Sequence, residues 1–222
     1  MKKNYRGICL IGAGRAGMIH ARNFQRSVPG FRIVSVADPV EEAAASACRE
    51  LEIEKYYLDY KQALEDEETD AVVIVSPTKY HCEIAVCAAK HRKDILLEKP
   101  MAMNARECVQ IMEAVKDSGV KLQIGFMRRF DESFQAAKKA VEAGEIGSVV
   151  LVKSLTRGPA PQGLGCMISK KAMVLWRKST ATILIPCVGF LGASLSMCTR
   201  SPEIIVAMKP KRNFLTFMTT WC

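Results

Sequence analysis

Two hydrophobic periods alternate along residues 5–125 of the chain. Short, mostly apolar runs predict strands at 7–11, 31–37, 55–57, 70–75, 94–97 and 120–125. Between them, apolar residues recur at helical spacing, which predicts helices after the first strand and at 41–51, 60–64, 80–91 and 105–116. Strands that are apolar throughout are typical of parallel sheets covered on both faces. The pattern therefore predicts an α/β fold of Rossmann type, a doubly wound parallel sheet.

The pattern changes in the second half of the chain. A helix at 131–143 and a long strand at 147–156 follow the last predicted strand–helix unit, and after Arg157-Gly158-Pro159 the alternation stops. These changes predict a Rossmann domain at 1–126, the start of a second domain at 127–158 and an atypical basic tail at 159–222.

Composition predicts a soluble globular domain and argues against a secreted or nucleic-acid-binding protein. Hydrophobic residues make up 49% of the chain, which is ample for a core. Residues 1–158 carry a net charge of +2 and residues 159–222 a net charge of +7, so the overall +9 is not a nucleic-acid footprint. No signal peptide is expected, because Met1-Lys2-Lys3 leads directly into the first strand.

The nine cysteines give no metal or disulfide pattern. No C-x-x-C pair and no cluster with histidine occurs, so neither a zinc site nor a disulfide framework is expected. Several cysteines fall on apolar faces, as reduced cysteines of cytoplasmic proteins do. These are Cys9, Cys48, Cys82, Cys87 and Cys108.

A glycine-rich turn follows the first predicted strand. Gly12, Gly14 and Gly17 form G-x-G-x-x-G between that strand and a helix, which is the context of a dinucleotide-binding motif. The first glycine permits the turn, the second admits a pyrophosphate and the third lets the helix pack closely. The helix amino terminus then faces the phosphates with free N–H groups and its positive dipole end.

Asp38 supplies the second part of this motif. It ends the second strand 21 positions after Gly17, where a carboxylate accepts hydrogen bonds from the adenosine ribose. A carboxylate repels a 2′-phosphate, and Pro39 rather than arginine follows it, so NAD is favoured over NADP. The structural alternative is a glycine turn with a helix-capping aspartate.

Two further strand ends carry polar residues, and parallel sheets bind ligands at this edge. Ser76-Pro77-Thr78 ends the fourth strand and Glu98-Lys99-Pro100 the fifth. An ammonium such as that of Lys99 stabilises negative charge on an alcohol oxygen, and desolvation can prepare it as a base. The alternative for Lys99 is a surface lysine in a turn, and for His81 a structural hydrogen bond.

The order of GAGRAG, VADP, SPTKYH, EKP and QIGFMRRFD resembles the Gfo/Idh/MocA family of NAD(P)-dependent oxidoreductases, above all its myo-inositol dehydrogenase branch. The resemblance covers about residues 5–158. It implies NAD as cofactor and a set of cofactor-binding residues. This set is Gly12, Gly14, Arg15, Ala16, Gly17, Asp38, Ser76, Thr78, His81, Glu98 and Lys99.

The resemblance also implies roles and partners. Ser76, Thr78 and His81 would line the nicotinamide half, and Lys99 would be the catalytic residue at the substrate hydroxyl. From their charge alone, Arg128 and Arg129 are candidates to contact an anion or polyol, and the alternative is that one of them pairs with Asp131 or Glu132. The implied activity is hydride transfer between NAD and a secondary alcohol of a polyol or sugar. The cysteine positions and the charge distribution separately favour a cytoplasmic protein that binds neither nucleic acid nor a membrane.

The tail departs from the family. A segment with Asp and His that would act beside Lys99 is absent, and no aspartate follows Asp131. The genetic code permits that segment in a shifted frame, since Met173-Val174 then requires glycine and Met167-Ile168 aspartate. We therefore expect a frameshift near 160–163, a truncated α+β second domain, a poorly structured tail and an impaired homo-oligomer.

Three alternatives remain open at this point. The uncharged stretch at 181–198 has the length of a membrane anchor, although a proline and two glycines interrupt it. The second alternative is that the tail is a novel substrate domain. The third is that the chain as a whole is a catalytically inactive NAD-binding remnant.

Overall fold

The computed structural model describes residues 4–147 with their side chains, and the backbone of 151–157, 197–198, 205–207 and 214–220. The chain divides into two compact units, Met1–Gly125 and Phe126–Cys222. Each unit contains its own sheet.

The first unit is built on a six-stranded parallel sheet. Its strands are β1 Arg6–Ile11, β2 Phe31–Ala37, β3 Lys55–Tyr57, β4 Ala71–Ile74, β5 Asp94–Glu98 and β6 Leu122–Gly125. They lie in the order β3-β2-β1-β4-β5-β6, and every neighbouring pair is parallel. The order reverses between β1 and β4, as in a Rossmann fold, so the predicted doubly wound parallel sheet is confirmed.

Five helices of the described residues cover this sheet. They are α1 Arg15–Ser27, α2 Glu41–Leu51, α3 Tyr60–Glu65, α4 His81–Lys90 and α5 Ala105–Ser118. Successive β1 residues contribute to two separate core layers, Ile8 and Leu10 to one and Cys9 and Ile11 to the other. Helices α1 and α2 share the first layer, and α3, α4 and α5 share the second. The central strands are therefore covered on both faces, which explains why β4 is apolar throughout and β1 is buried from Gly7 to Ile11.

Capping side chains fix where helices begin. The Asn104 side-chain oxygen accepts the Glu107 N–H at 3.0 Å, and Glu107 Oε2 accepts the Met103 N–H at 3.0 Å. This reciprocal pair starts α5, and Gly119 ends it in the left-handed region with φ of 68°. The predicted Asn104 cap is confirmed.

Side chains tie together the amino ends of the strands. Asp70 Oδ2 accepts the Gly7 N–H at 2.7 Å, and Asp94 Oδ1 accepts the Lys121 N–H at 2.8 Å. The Arg6 guanidinium lies 2.9 Å from the Asp94 carboxylate. These contacts set the register of four strands at the edge opposite the carboxyl ends.

Element boundaries differ from the sequence-based expectations at a few places. A 3-10 turn over Thr78–Tyr80 precedes α4, where a helix was expected from Tyr80. Strand β4 begins at Ala71 rather than at Asp70, whose backbone N–H donates to the Gly7 carbonyl oxygen. Strand β6 begins at Leu122, two residues after the predicted start at Val120.

The second unit contains one α-helix, a 3-10 turn over Met127–Arg129 and four strands in its described residues. The helix and strands are α6 Glu132–Glu142, β7 Leu151–Arg157, β8 Met197–Cys198, β9 Ile205–Ala207 and β10 Phe214–Thr220. The sheet order is β10-β7-β9-β8, with β10 parallel and β9 antiparallel to β7. Three pieces of the tail are thus paired strands, whereas 159–196 lie outside the described residues.

No helix among the described residues has the length and apolar character needed to cross a membrane. Most of the 181–198 stretch, the alternative anchor, lies outside those residues.

Candidate active site at the carboxyl edge of the first sheet

The glycine turn places its three glycines in different environments. Gly12 has φ of 102°, and a Cβ there would lie 2.9 Å from the Val75 carbonyl carbon and oxygen. A Cβ on Gly17 would overlap the Gly12 carbonyl oxygen. At Gly14, which precedes the first residue of α1, a Cβ would meet nothing within 4 Å. Gly12 and Gly17 are therefore required by packing, whereas Gly14 leaves open space at the helix amino terminus.

This open space fits a phosphate group. The first backbone N–H groups of α1, at Arg15, Ala16 and Gly17, have no intrahelical partner by the geometry of a helix. Arg15 and Ala16 are exposed, so the approach is unobstructed by burial. The helix dipole adds a partial positive charge at the same place.

The Asp38 carboxylate lies against the glycine turn. Its Oδ2 accepts the Ala13 N–H at 2.8 Å, and its Oδ1 accepts the Val40 N–H at 2.9 Å. The two strands meet here because the Gly12 N–H donates to the Ala37 carbonyl oxygen at 2.9 Å. Each carboxylate oxygen keeps a second lone pair, so Asp38 can also accept hydrogen bonds from ligand hydroxyls.

Two hydroxyl groups after β4 are buried without partners. Ser76 Oγ and Thr78 Oγ1 have no hydrogen-bond partner within the described residues, and Thr78 is only 4% exposed. A buried hydroxyl without a partner costs free energy, which a bound ligand with polar atoms can recover. These groups stand at the same edge of the sheet as the glycine turn, since β1 and β4 are parallel neighbours.

His81 is buried and contacts two backbone carbonyl groups. The ring is 1% exposed; its Nδ1 lies 2.8 Å from the Pro100 oxygen and its Nε2 2.9 Å from the Ser76 oxygen. Both ring nitrogens are thus engaged by the backbone. This is the structural hydrogen bonding considered as the alternative for His81, and it joins the loops after β4 and β5.

Glu98 is also engaged within the protein. Its Oε1 lies 3.0 Å from His20 Nε2 on α1, and its Oε2 accepts the Lys99 N–H at 2.9 Å. Burial acts to raise the pKa of Glu98, but the hydrogen bond and charge of His20 and the Lys99 N–H outweigh it, and the pKa is lowered. Glu98 therefore carries a negative charge at neutral pH and fixes the backbone at Lys99.

The remaining predicted residues fall elsewhere. The Arg128 guanidinium lies 2.7 Å from the Asp131 carboxylate, so the predicted ion pair with Asp131 is confirmed. Both residues belong to the second unit. Within the described residues, no group of three or more His, Cys, Asp or Glu side chains is arranged for a metal ion.

Two contributors were missed by sequence reasoning. His20 contacts Glu98 across 78 positions of the chain. Gly125 makes room for that carboxylate, because a Cβ there would lie 3.1 Å from Glu98 Oε1. The available signals were a histidine one turn beyond Gly17 and a glycine closing the sixth strand, neither of which indicates a partner by itself.

Comparison with known proteins gives consistent matches. The Gfo/Idh/MocA model, an oxidoreductase family with an NAD-binding Rossmann fold, matches residues 6–126. The scyllo-inositol 2-dehydrogenase (NAD(+)) of Bacillus subtilis is 44% identical over 148 residues, which cover 67% of this chain and 43% of that protein. The myo-inositol 2-dehydrogenase of Thermotoga maritima is 36% identical over 157 residues, covering 71% and 47%.

A solved structure agrees in fold. Apo scyllo-inositol dehydrogenase from Lactobacillus casei at 77 K superposes with a TM-score of 0.76 and 25% identity, covering 89% of this chain and 58% of that one. The chain spans less than half the length of the two curated relatives above.

Proposed function

This chain belongs to the Gfo/Idh/MocA oxidoreductase family, whose fold is an NAD-binding Rossmann fold, and we propose that it transfers hydride between NAD and a secondary alcohol of a polyol or sugar. The family resemblance in the sequence is thereby confirmed, and NAD is confirmed as the family's cofactor. The activity and substrate of this chain are the proposal.

One observation supports the cofactor site above the others. The Asp38 carboxylate is oriented on the Ala13 N–H at 2.8 Å, beside the open space at Gly14. A phosphate at the α1 amino terminus and a ribose at Asp38 would then bind at the carboxyl ends of the neighbouring strands β1 and β2. Negative charge at Asp38 disfavours a 2′-phosphate, so we propose NAD rather than NADP.

The chemistry assigned to the chain rests on Lys99. NAD held at this site would supply the acceptor for the hydride of the alcohol carbon. As the carbonyl forms, the hydroxyl proton must leave, and the Lys99 amine is the proposed acceptor, becoming an ammonium that stabilises the oxygen. Ser76 and Thr78, whose buried hydroxyls have no hydrogen-bond partner among the described residues, are proposed to hydrogen-bond the nicotinamide half.

An inositol-like substrate is proposed from the relatives. The Bacillus subtilis and Thermotoga maritima proteins are a scyllo-inositol and a myo-inositol dehydrogenase. A reducing compartment, the cytoplasm, is proposed because the cysteines of the described residues are free.

Calorimetric titration and a spectroscopic assay test this proposal. We expect NAD to bind more tightly than NADP, and Asp38→Ala to weaken NAD binding by about tenfold, as loss of a charge-assisted hydrogen bond implies. We expect reduced nicotinamide to form with an inositol panel and Lys99→Ala to abolish it. His91→Gln, on the exposed end of α4, is the matched control.

Three results would contradict the proposal. Tighter binding of NADP than NAD would overturn the role of Asp38. Binding of NAD without turnover of any polyol would favour the inactive NAD-binding remnant. Turnover that survives Lys99→Ala would remove Lys99 from the mechanism.

We also propose that 159–222 are translated out of frame. The support is the permitted reading of the missing acid–base segment and a tail with a single acidic residue, Glu203. Sequencing of the coding DNA at 160–163 tests this. A neighbouring frame without the H-D-x-D segment would make the tail genuine protein and would abolish the expectation of an impaired oligomer.

A further inference from the structure

Hydrogen bonds from the rest of the protein hold the E-K-P turn, residues 98–100, on both sides of Lys99. On one side, Glu98 Oε1 lies 3.0 Å from Nε2 of His20 on α1, and Glu98 Oε2 accepts the Lys99 N–H at 2.9 Å. On the other side, the Pro100 carbonyl oxygen lies 2.8 Å from His81 Nδ1 of α4. Two helices on opposite faces of the sheet therefore reach the same turn, each through one histidine.

The Glu98 side is a charged and confined contact. An ionised carboxylate only accepts hydrogen bonds, so His20 donates from Nε2. The carboxylate is 20% exposed and the His20 side chain 25%. Gly125 borders Glu98 so closely that a Cβ would lie 3.1 Å from Oε1, which restricts where the carboxylate can move.

On the other side, the buried His81 ring contacts two backbone carbonyl groups. Carbonyl oxygens accept and never donate, so a neutral His81 ring donates to one of the two oxygens, and an imidazolium ring donates to both. His81 is 1% exposed, so bulk solvent does not reach the ring to replace these contacts. The same ring thereby sets the distance between the turn and the loop that carries Ser76.

We propose that His20 and His81 are positioning residues for Lys99: they fix the backbone on either side of it and contact neither cofactor nor substrate. This inference rests on the proposed function only in assigning Lys99 its task. The consequence for catalysis is large, because a displacement of about 1 Å of a reacting group can cost about a hundredfold in rate.

The test measures the environment of Lys99 directly, without cofactor. The full chain is treated with a trace of acetic anhydride at one pH, and mass spectrometry gives the acetylation rate of Lys99 relative to Lys116, near the end of α5. We expect His20→Ala to raise this ratio about fivefold, the factor that corresponds to the ~1 kcal/mol of one hydrogen bond. His20→Gln retains a donor at the Nε2 position and should restore the ratio, and His91→Gln should leave it unchanged.

His81 is tested with two variants because it is buried. His81→Ala removes both contacts and His81→Gln retains one donor, so the ratio should rise more in the first. Circular dichroism and urea unfolding establish that each compared variant is folded. If His81→Ala does not fold, His81→Gln alone decides its role, and an unchanged ratio there overturns it.

The outcomes separate this inference from the proposed function. An unchanged ratio in folded His20→Ala, or a parallel rise at Lys99 and Lys116, overturns the positioning role of His20. Failure of the unmodified chain to bind NAD overturns the proposed function, whereas the acetylation series still reports on the turn. In a chain that binds NAD and turns over substrate, His20→Ala should lower kcat more than it raises KM.

Discussion

Gly14 and Gly17 stand three residues apart, yet a methyl group at each would meet different surroundings. At Gly14 it would enter open space, and at Gly17 it would overlap the Gly12 carbonyl oxygen. Both are glycines of one motif, but Gly14 is required for a ligand to approach the backbone, whereas Gly17 is required for the helix to pack against the turn.

These environments give opposite expectations for alanine. Gly17→Ala should lower the free energy of unfolding by about 1–3 kcal/mol through overpacking. Gly14→Ala meets no steric overlap and should cost only the difference between glycine and alanine at the N-cap of α1, about 1 kcal/mol or less, while NAD binding weakens because the methyl group occupies the phosphate's approach. Urea unfolding and calorimetry measure both quantities. Unimpaired NAD binding in Gly14→Ala would move the phosphate away from this turn.

Glu98 predicts a pH-dependent contribution to stability. Its pKa in the folded chain lies below the ordinary value of 4.5, so its contribution is fully present above that value and is lost as pH falls through the lowered pKa. Glu98→Gln does not titrate. We therefore expect the stability difference between the unmodified chain and Glu98→Gln to be largest near neutral pH and to shrink on acidification.

Urea unfolding at several pH values measures this difference. Other carboxyl groups with lowered pKa values, including Asp66 and Asp131, titrate in both proteins and cancel in the comparison. A difference that stays constant from neutral to acidic pH would show that Glu98 is not stabilised in its charged form.

At the scale of the element, the hydrophobic pattern was sufficient for the strands and helices of the first unit. Strand β2 and helix α2 have the predicted limits, because an apolar run and a helical period end at clear polar boundaries. The 3-10 turn at Thr78–Tyr80 was not predictable, since it depends on contacts of the loop rather than on a period. In the candidate site, by contrast, the glycine turn and Asp38 were predictable, because each is marked by a local pattern in the sequence.

The contacts of His20 and His81 were beyond sequence reasoning for a related reason. His81 reaches Pro100 across 19 positions and His20 reaches Glu98 across 78. Each pair is brought together by the packing of helices on the sheet, and no local spacing encodes it. The sequence alone therefore does not determine the roles of His20 and His81.

Helix α5 offers a test at this scale. Asn104 accepts the Glu107 N–H at 3.0 Å and donates to Glu107 Oε1 at 2.7 Å. Asn104→Ala should cost about 0.5–2 kcal/mol of stability through loss of this cap. Asn104→Ser retains a capping oxygen and should recover most of the loss in urea unfolding. Equal losses in both variants would indicate that the cap oxygen is not what stabilises the helix start.

At the scale of the whole molecule, the first unit contains its own core. Both clusters of buried apolar side chains lie within residues 8–124. A fragment of residues 1–125 should therefore unfold in one cooperative transition. Free NAD at about 100 times its Kd should stabilise it by about 2.7 kcal/mol.

Calorimetric scans of the fragment with and without NAD measure this. The Asp38→Ala fragment is the control and should show a smaller shift in Tm at the same NAD concentration. A fragment that unfolds without a cooperative transition would show that residues beyond 125 contribute to the core.

The two edges of the first sheet differ in what their side chains do. At the amino edge, Asp70 and Asp94 bind backbone N–H groups of neighbouring segments. At the carboxyl edge lie Asp38, the open space at Gly14 and the buried hydroxyls of Ser76 and Thr78. Strand register is thus secured far from the residues that would select a dinucleotide. Selection for a new cofactor can therefore change Asp38 and its neighbours without disturbing the contacts that align the strands, which makes this domain a suitable starting point for directed evolution.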